Sequence, residues 1–168
     1  MPMPVMAEAK AKSMSWYWRA EYAVSNWCAV YSAEEWLKPT TFGVKYKTLE
    51  EVDSWLTTVF DDSWFEGRFR EACDLYGFTL HDGRGSRCAT GDYKYGFCHL
   101  TLPRFARNQL IVLHELSHAL AIASGNHDGH KRGFCRIYLS LVGNFLGHAA
   151  SADLRLNLKT FDHDGACL

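Results

Sequence analysis

The stretch Leu110 to Phe134, LIVLHELSHALAIASGNHDGHKRGF, contains the motif His114-Glu115-Leu116-Ser117-His118. In a helix, residues four apart project from the same face, so the imidazoles of His114 and His118 can bind one metal ion. Glu115 lies about 100° further round the helix, where its carboxylate can act on a water molecule rather than on the metal. The flanking residues are apolar on nearly all sides, which predicts a buried helix.

Zinc is the metal that best fits two neutral imidazoles, a third protein ligand and an open position for water. The motif predicts one zinc ion per chain and Glu115 as the catalytic base. Zinc would lower the pKa of the water, and Glu115 would take its proton during attack on a carbonyl. The alternative interpretation is two core histidines bonded to backbone carbonyls and a glutamate paired with an arginine.

Two histidines are candidates for the third ligand, His127 and His130. No glutamate follows Glu115, so a glutamate further along the chain is excluded as that ligand. Gly125 predicts the end of the helix, which carries the chain about 10 Å past the metal. A loop of about five residues gives His130 enough slack to fold back, whereas His127 needs a nearly straight return. We therefore expect His130 to be the ligand, with His127 as the alternative.

The H-E-x-x-H motif followed by Gly129-His130-Lys131-Arg132-Gly133-Phe134 resembles the SprT-like minimal zincin metallopeptidases. The segments 102–107, 112–116 and 30–34 resemble more closely a small actinobacterial and phage family of H-E-x-x-H metallohydrolases. The resemblance covers about residues 29–146. It implies a compact zincin-like fold and a zinc ion held by His114, His118 and His130, with Glu115 catalytic. Lys131-Arg132 stand where that family usually has Gly-Pro.

The strand predicted immediately before the motif helix, Phe97 to Leu102, is the candidate substrate-binding element. By resemblance to zincins it is an edge strand beside the metal, where an extended peptide pairs with the backbone at Phe97, His99 and Thr101. Tyr138 is the candidate donor of a hydrogen bond to the developing oxyanion. Core packing explains Tyr138 equally well, and a surface or core position explains His99.

The remaining elements are predicted from caps, turns and apolar periodicity. Thr48 and Glu51 predict a capping box at the start of a helix. Further helices are predicted at 63–76, at 134–146 and at 151–160. A strand is predicted at 78–81, and a hairpin of 85–89 with 95–102 is predicted to turn at 90–92. Together these predict an α+β fold in which a small antiparallel sheet packs on helices.

Length and composition limit the remaining possibilities. The 168 residues, 48% of them hydrophobic, predict a single domain at 16–160, with a disordered segment at 1–15 and a flexible tail at 161–168. A net charge of −1 gives no support for nucleic-acid or membrane binding. No apolar run reaches the ~18 residues of a membrane span, and the N-terminal residues lack the apolar run of a secretory signal. Six cysteines without a C-x-x-C pair indicate reduced thiols, so we expect a cytoplasmic protein.

The sequence thus favours a zinc-dependent peptidase whose partner is a protein or peptide substrate. Two alternatives remain open. One is a zinc-stabilised interaction module without catalysis, in which the metal serves folding. The other is a metallohydrolase that acts on non-peptide amides.

Overall fold

A computed structural model describes residues 29–127, 129–162, 165 and 167–168, so the predictions for residues 1–15 lie outside it. The described chain forms six α-helices: α1 (Ala29–Glu35), α2 (Leu49–Phe60), α3 (Ser63–Phe65), α4 (Gln109–Ala123), α5 (Arg132–Phe145) and α6 (His148–Phe161). Its three strands are β1 (Gly77–Asp82), β2 (Thr90–Lys94) and β3 (Phe97–Leu102). Single 3-10 turns occur at Pro39–Phe42 and Arg104–Ala106, and a π-helical turn occurs at Glu66–Arg70. The predicted α+β class is confirmed.

The sheet is mixed, with the strand order β1-β3-β2. β1 pairs with β3 in parallel, and β2 pairs with β3 antiparallel. The prediction of an antiparallel sheet is therefore wrong. The prediction that Phe97 to Leu102 forms an edge strand is also wrong, because β3 is paired on both sides. The open edge nearest to the motif helix belongs to β2.

A misplaced turn explains this error. The turn predicted at 90–92 is wrong, because Thr90–Lys94 forms β2 and the chain reverses at Tyr95 and Gly96. These two residues have φ values of 52° and 84°. Two consecutive positive φ values match the twist of a two-residue hairpin. Tyrosine is an unusual residue in that conformation, so the sequence gives little sign of this turn.

Helix α4 carries the motif and forms the centre of the core. Asn108 caps it as predicted, since its Oδ1 accepts a hydrogen bond from the Ile111 N–H at 3.0 Å. Gly125, with φ of 80°, follows its last turn as predicted. Eleven of its fifteen residues are buried, beneath β2 and β3 on one side and α5 on another. Polar groups on this helix consequently lie in a medium of low dielectric constant.

The surrounding helices follow the predictions with one exception. The capping box at Thr48 and Glu51 is confirmed. The helix predicted over 63–76 is wrong in length, since α-helical bonding ends at Phe65 and a π-helical turn containing Gly67 follows. Helices α5 and α6 confirm the two predicted C-terminal helices. No helix in the described ranges combines the length and apolar character needed to cross a membrane.

Candidate metal centre

Three imidazoles converge beside the middle of α4. His114 and His118 project from one face of the helix, and His130 approaches from the loop before α5. The Nε2 atom of His130 lies 2.9 Å from the Nε2 atom of His114 and 2.9 Å from that of His118. The Nε2 atoms of His114 and His118 are 3.2 Å apart. The three histidines lie close enough together to hold one metal ion. His127 is exposed and lies outside this group.

The donor set fits a zinc ion. Zn–N bonds of about 2.05 Å at tetrahedral angles separate two nitrogens by about 3.3 Å, within a few tenths of an ångström of the three distances. Burial, and then the nearby His114, lower the pKa of His118 to about 3. Burial, followed by His114 and His118, also lowers the pKa of His130. Both rings are therefore neutral at neutral pH, with lone pairs available to a metal.

Hydrogen bonds and a ring contact from neighbouring residues fix the loop that carries His130. Gly129 adopts a φ of 66°, a left-handed conformation that suits glycine, immediately before His130. The thiols of Cys135 and Cys167 donate to the His130 carbonyl oxygen at 3.4 and 3.2 Å. Phe134, only 1% exposed, packs its ring 4.8 Å from that of His130 and 4.4 Å from that of His118. These contacts fix the His130 imidazole, although Lys131-Arg132 stand where the family that the sequence resembles usually has Gly-Pro.

Glu34 of α1 is a site residue to which the sequence analysis assigned no role. Its Oε1 lies 2.6 Å from His114 Nδ1 and also accepts a hydrogen bond from the Tyr138 hydroxyl at 2.7 Å. A carboxylate at Nδ1 holds the ring in place and leaves Nε2 for a metal. Glu34 lies 80 residues before His114, so no local spacing links the two, and the only signal was the resemblance of segment 30–34.

The Glu34 carboxyl group is buried, and a buried carboxylate is costly unless a positive charge lies nearby. Glu34 is 2% exposed, and its Oε2 has no hydrogen-bond partner among the described residues. Burial acts to lower the pKa of His114, but the charge and hydrogen bond of Glu34 and the charge of Glu115 raise it overall. The pair thus attracts positive charge at His114, whether a proton or a metal ion at Nε2.

Tyr138 occupies a different place from the one predicted. It is fully buried, and its hydroxyl donates to Glu34 rather than facing the centre of the triad. Tyr138 therefore supports the Glu34–His114 pair, and its assignment as the oxyanion stabiliser stays a prediction. The alternative interpretation, core packing, agrees with its position.

Glu115 is buried beside the triad. The pKa of Glu115 is raised to about 7, chiefly by burial and also by the nearby charge of Glu34. The charge of His114 and a backbone hydrogen bond from Gly91 act in the opposite direction. Gly91 belongs to β2, and a Cβ at this position would overlap the Glu115 carbonyl oxygen. The absence of a side chain at Gly91 therefore allows the edge strand to lie directly against the motif helix.

The predicted substrate-binding residues have other surroundings. His99 Nδ1 lies 2.6 Å from Thr79 Oγ1 on β1, and Phe97 packs on Tyr76 with ring centroids 6.0 Å apart. Thr101 pairs with Thr90 on one side and His81 on the other. Phe97, His99 and Thr101 were assigned to substrate because β3 was predicted to be an edge strand. β3 is the central strand, so its backbone has no free edge for a peptide.

Tyr31 of α1 is a second site residue without a predicted role. Its ring stacks on His114, with centroids 5.6 Å apart and an interplanar angle of 18°. It meets His130 edge to face at 4.6 Å. Tyr31 is half-buried, so it forms a partly accessible wall of the metal centre.

No protein-family model matches this chain, and neither does any curated protein or solved structure. The SprT-like resemblance consequently depends on the motif and its spacing alone and stays a prediction.

Proposed function

We propose that the protein is a zinc-dependent hydrolase that cleaves peptide bonds. The convergence of the His114, His118 and His130 Nε2 atoms beside a buried glutamate is the observation that carries this proposal. Three protein ligands are the usual number in catalytic zinc sites, which leave one position open, whereas structural sites are usually closed by four. When bound, zinc supplies a Lewis acid and lowers the pKa of coordinated water to about 7.

Glu115 is the proposed proton carrier. A group that accepts and then returns a proton works best when its pKa lies near the operating pH. The pKa of about 7 given to Glu115 by burial meets this condition in the metal-free protein. The Gly91 N–H directs the carboxylate, while Glu34 and Tyr138 hold the His114 ring.

The edge of β2 is the proposed docking line for substrate backbone. An extended peptide adds to an open sheet edge through main-chain hydrogen bonds, with little demand on side chains. β2 is the edge strand nearest to Glu115, which its Gly91 touches. The Tyr93 N–H on the same strand bonds to its neighbour Asp92 at 2.8 Å, so it must exchange this partner for substrate.

A second candidate function is a metal-stabilised interaction module without catalysis. The burial of the motif favours it, because His114 and Glu115 are only 2% and 5% exposed. In such a protein the metal contributes to folding and Glu115 has no proton to transfer. The two candidates make opposite predictions for a substitution that keeps the ligands and removes the carboxylate.

Glu115→Gln is that substitution. Glutamine preserves the shape of the side chain but cannot accept the proton, so we expect the variant to retain zinc and to lose about 10²- to 10⁴-fold in rate. Wild type and variant are zinc-loaded and assayed on casein, a mixed peptide library and simple non-peptide amides, with zinc content measured in parallel.

Glu35→Gln serves as the matched control, because Glu35 is adjacent to Glu34 but only half-buried and does not belong to the group of residues that could hold the metal. Its rate is expected to equal that of wild type. Equal rates in wild type and Glu115→Gln, or no cleavage by zinc-loaded wild type, would contradict the hydrolase proposal and favour the interaction module. Cleavage confined to the non-peptide amides would contradict the peptide substrate.

A further inference from the structure

Two cavities lie along α5. The first, of about 860 Å³, is lined by the first turn of α5, and the second, of about 900 Å³, is lined by the rest of that helix and by α6. Arg68, Arg132 and Arg136 line both cavities, and we call the two together the α5 groove. None of the three candidate metal ligands lines it.

The walls of the α5 groove are strongly cationic. Five exposed basic side chains line it: Arg68, Lys131, Arg132, Arg136 and Arg155. Within the described ranges no aspartate or glutamate lines the groove. The ion pairs in those ranges are Arg84–Asp82, Arg107–Asp82 and His114–Glu34, and none of them involves a groove residue. The whole chain carries a net charge of −1, so the groove is a local concentration of positive charge on a nearly neutral protein.

We propose that the α5 groove binds an acidic segment of a polypeptide. Guanidinium groups bind carboxylates through paired, charge-assisted hydrogen bonds, and arginines supply four of the five cations. The groove also presents Ser140 and Asn144, whose hydroxyl and amide groups can bond to peptide backbone. Ser151 donates its hydroxyl proton to the Leu139 carbonyl oxygen at 3.1 Å, so it can only accept a hydrogen bond from a ligand. The lining therefore matches both the charge and the main chain of such a ligand.

The length of the groove fits a short extended segment. Its floor follows one face of α5 from Arg132 to Asn144, which at 1.5 Å per residue is about 18 Å. An extended chain rises about 3.3 Å per residue, so about five residues of ligand lie along the groove. Arg132 and Arg136 are one turn apart, close enough to contact neighbouring acidic side chains.

The aromatic residues disfavour single-stranded nucleic acid as the occupant. Such ligands are held by exposed aromatic rings on which bases stack. The rings that line the groove are those of Trp64, Phe69, Phe134 and His148, and the two phenylalanines are buried. Trp64 is half-buried, packed edge to face by Phe69 at 5.8 Å and covered by the Arg68 guanidinium at 5.8 Å. The groove thus supplies five cations and a single exposed ring, the imidazole of His148, on which a base could stack.

Phe134 connects the groove to the metal centre. Its side chain lines the first cavity and packs on the imidazoles of His118 and His130. Gly129 and Lys131, which flank the third ligand, line the same cavity. A segment bound here would contact the groove residues, none of which belongs to β2. Its role as a docking site for substrates that carry an acidic stretch rests on the proposed function, whereas the binding itself does not.

Fluorescence anisotropy with the zinc-loaded Glu115→Gln protein tests the binding without any hydrolysis. The probes are a labelled decapeptide of alternating glutamate and serine, its lysine counterpart and a labelled ten-nucleotide oligo-dT. We expect saturable binding of the acidic peptide, none of the lysine peptide, and a decrease as salt rises. Arg132→Gln/Arg136→Gln should weaken acidic-peptide binding about tenfold or more, since two charge-assisted contacts are removed.

The matched control is Arg87→Gln/Arg104→Gln, which removes the same charge at two exposed positions outside the groove. It should bind within about twofold of the parent. Arg68→Gln/Arg155→Gln, which removes two groove cations outside α5, should reproduce the loss and serves as the test if the α5 variant does not fold. Equal weakening in the control, tighter binding of oligo-dT than of the peptide, or no binding at all would overturn the proposal. Groove-dependent binding in a protein whose wild type cleaves nothing would uphold the site and refute the hydrolase proposal instead.

Discussion

At the scale of single residues, Glu34 sets both the orientation and the charge of the metal centre. Its Oε1 lies 2.6 Å from His114 Nδ1 and 2.7 Å from the Tyr138 hydroxyl, so one oxygen links α1, α4 and α5. A negative charge on the far side of the imidazole makes Nε2 a stronger donor to a metal. Burial acts to lower the pKa of His114, and the charge and hydrogen bond of Glu34 outweigh it, so that the pKa is raised overall.

Glu34→Gln should therefore weaken zinc binding without removing a ligand. Loss of such a supporting carboxylate typically lowers metal affinity by about 10- to 100-fold, and we expect a decrease in that range at pH 8. Competition with a zinc-chelating dye measures the affinity, and Glu35→Gln is the control. An unchanged affinity in Glu34→Gln would show that the hydrogen bond to His114 does not influence the metal.

At the scale of elements, the close approach of β2 to α4 shapes the neighbourhood of Glu115. The two elements touch where Gly91 meets the Glu115 backbone, and the Gly91 N–H binds the Glu115 carboxylate. A side chain at this position would push the edge strand away from the helix. The contact thus influences both the packing of the sheet and the direction of the Glu115 carboxylate.

Gly91→Ala tests this contact. Because its Cβ would overlap the Glu115 carbonyl, we expect a loss of about 1–3 kcal/mol in the free energy of unfolding, together with a loss of activity. Gly67→Ala is the control, since nothing lies within 4 Å of a Cβ at Gly67 and its φ is not positive. Urea unfolding of both variants measures the effect, and equal stability of the two would contradict the close approach.

Local signals in the sequence were enough to predict α4 and its histidines. Asn108, Gly125 and the four-residue spacing of His114 and His118 act within one helix, and the chain path after Gly125 favoured His130 over His127. The position of β3 depended on the turn, and the left-handed Tyr95 carries little local signal. Glu34 depended on a contact across 80 residues, which no spacing rule predicts.

At the scale of the whole molecule, the metal centre joins segments that are distant in the chain. His114 and His118 come from the buried helix α4, and His130 comes from the loop before α5. Glu34, on α1, is hydrogen-bonded to the His114 ring of the same group. Because an unfolded chain does not hold these groups together, metal binding should stabilise the fold. At a free metal concentration 100 times the dissociation constant, the gain is about 2.7 kcal/mol, or roughly 5–10 °C in Tm.

Zinc content after dialysis, measured for wild type, His130→Ala and His127→Ala, tests the central claim most directly. If His114, His118 and His130 hold the metal, wild type and His127→Ala should each retain one zinc ion per chain and share one Tm. His130→Ala should lose nearly all its zinc and melt at a lower temperature, because two imidazoles alone hold zinc weakly. Retention of zinc by His130→Ala with its loss from His127→Ala, or zinc-free wild type under saturating zinc, would contradict the account.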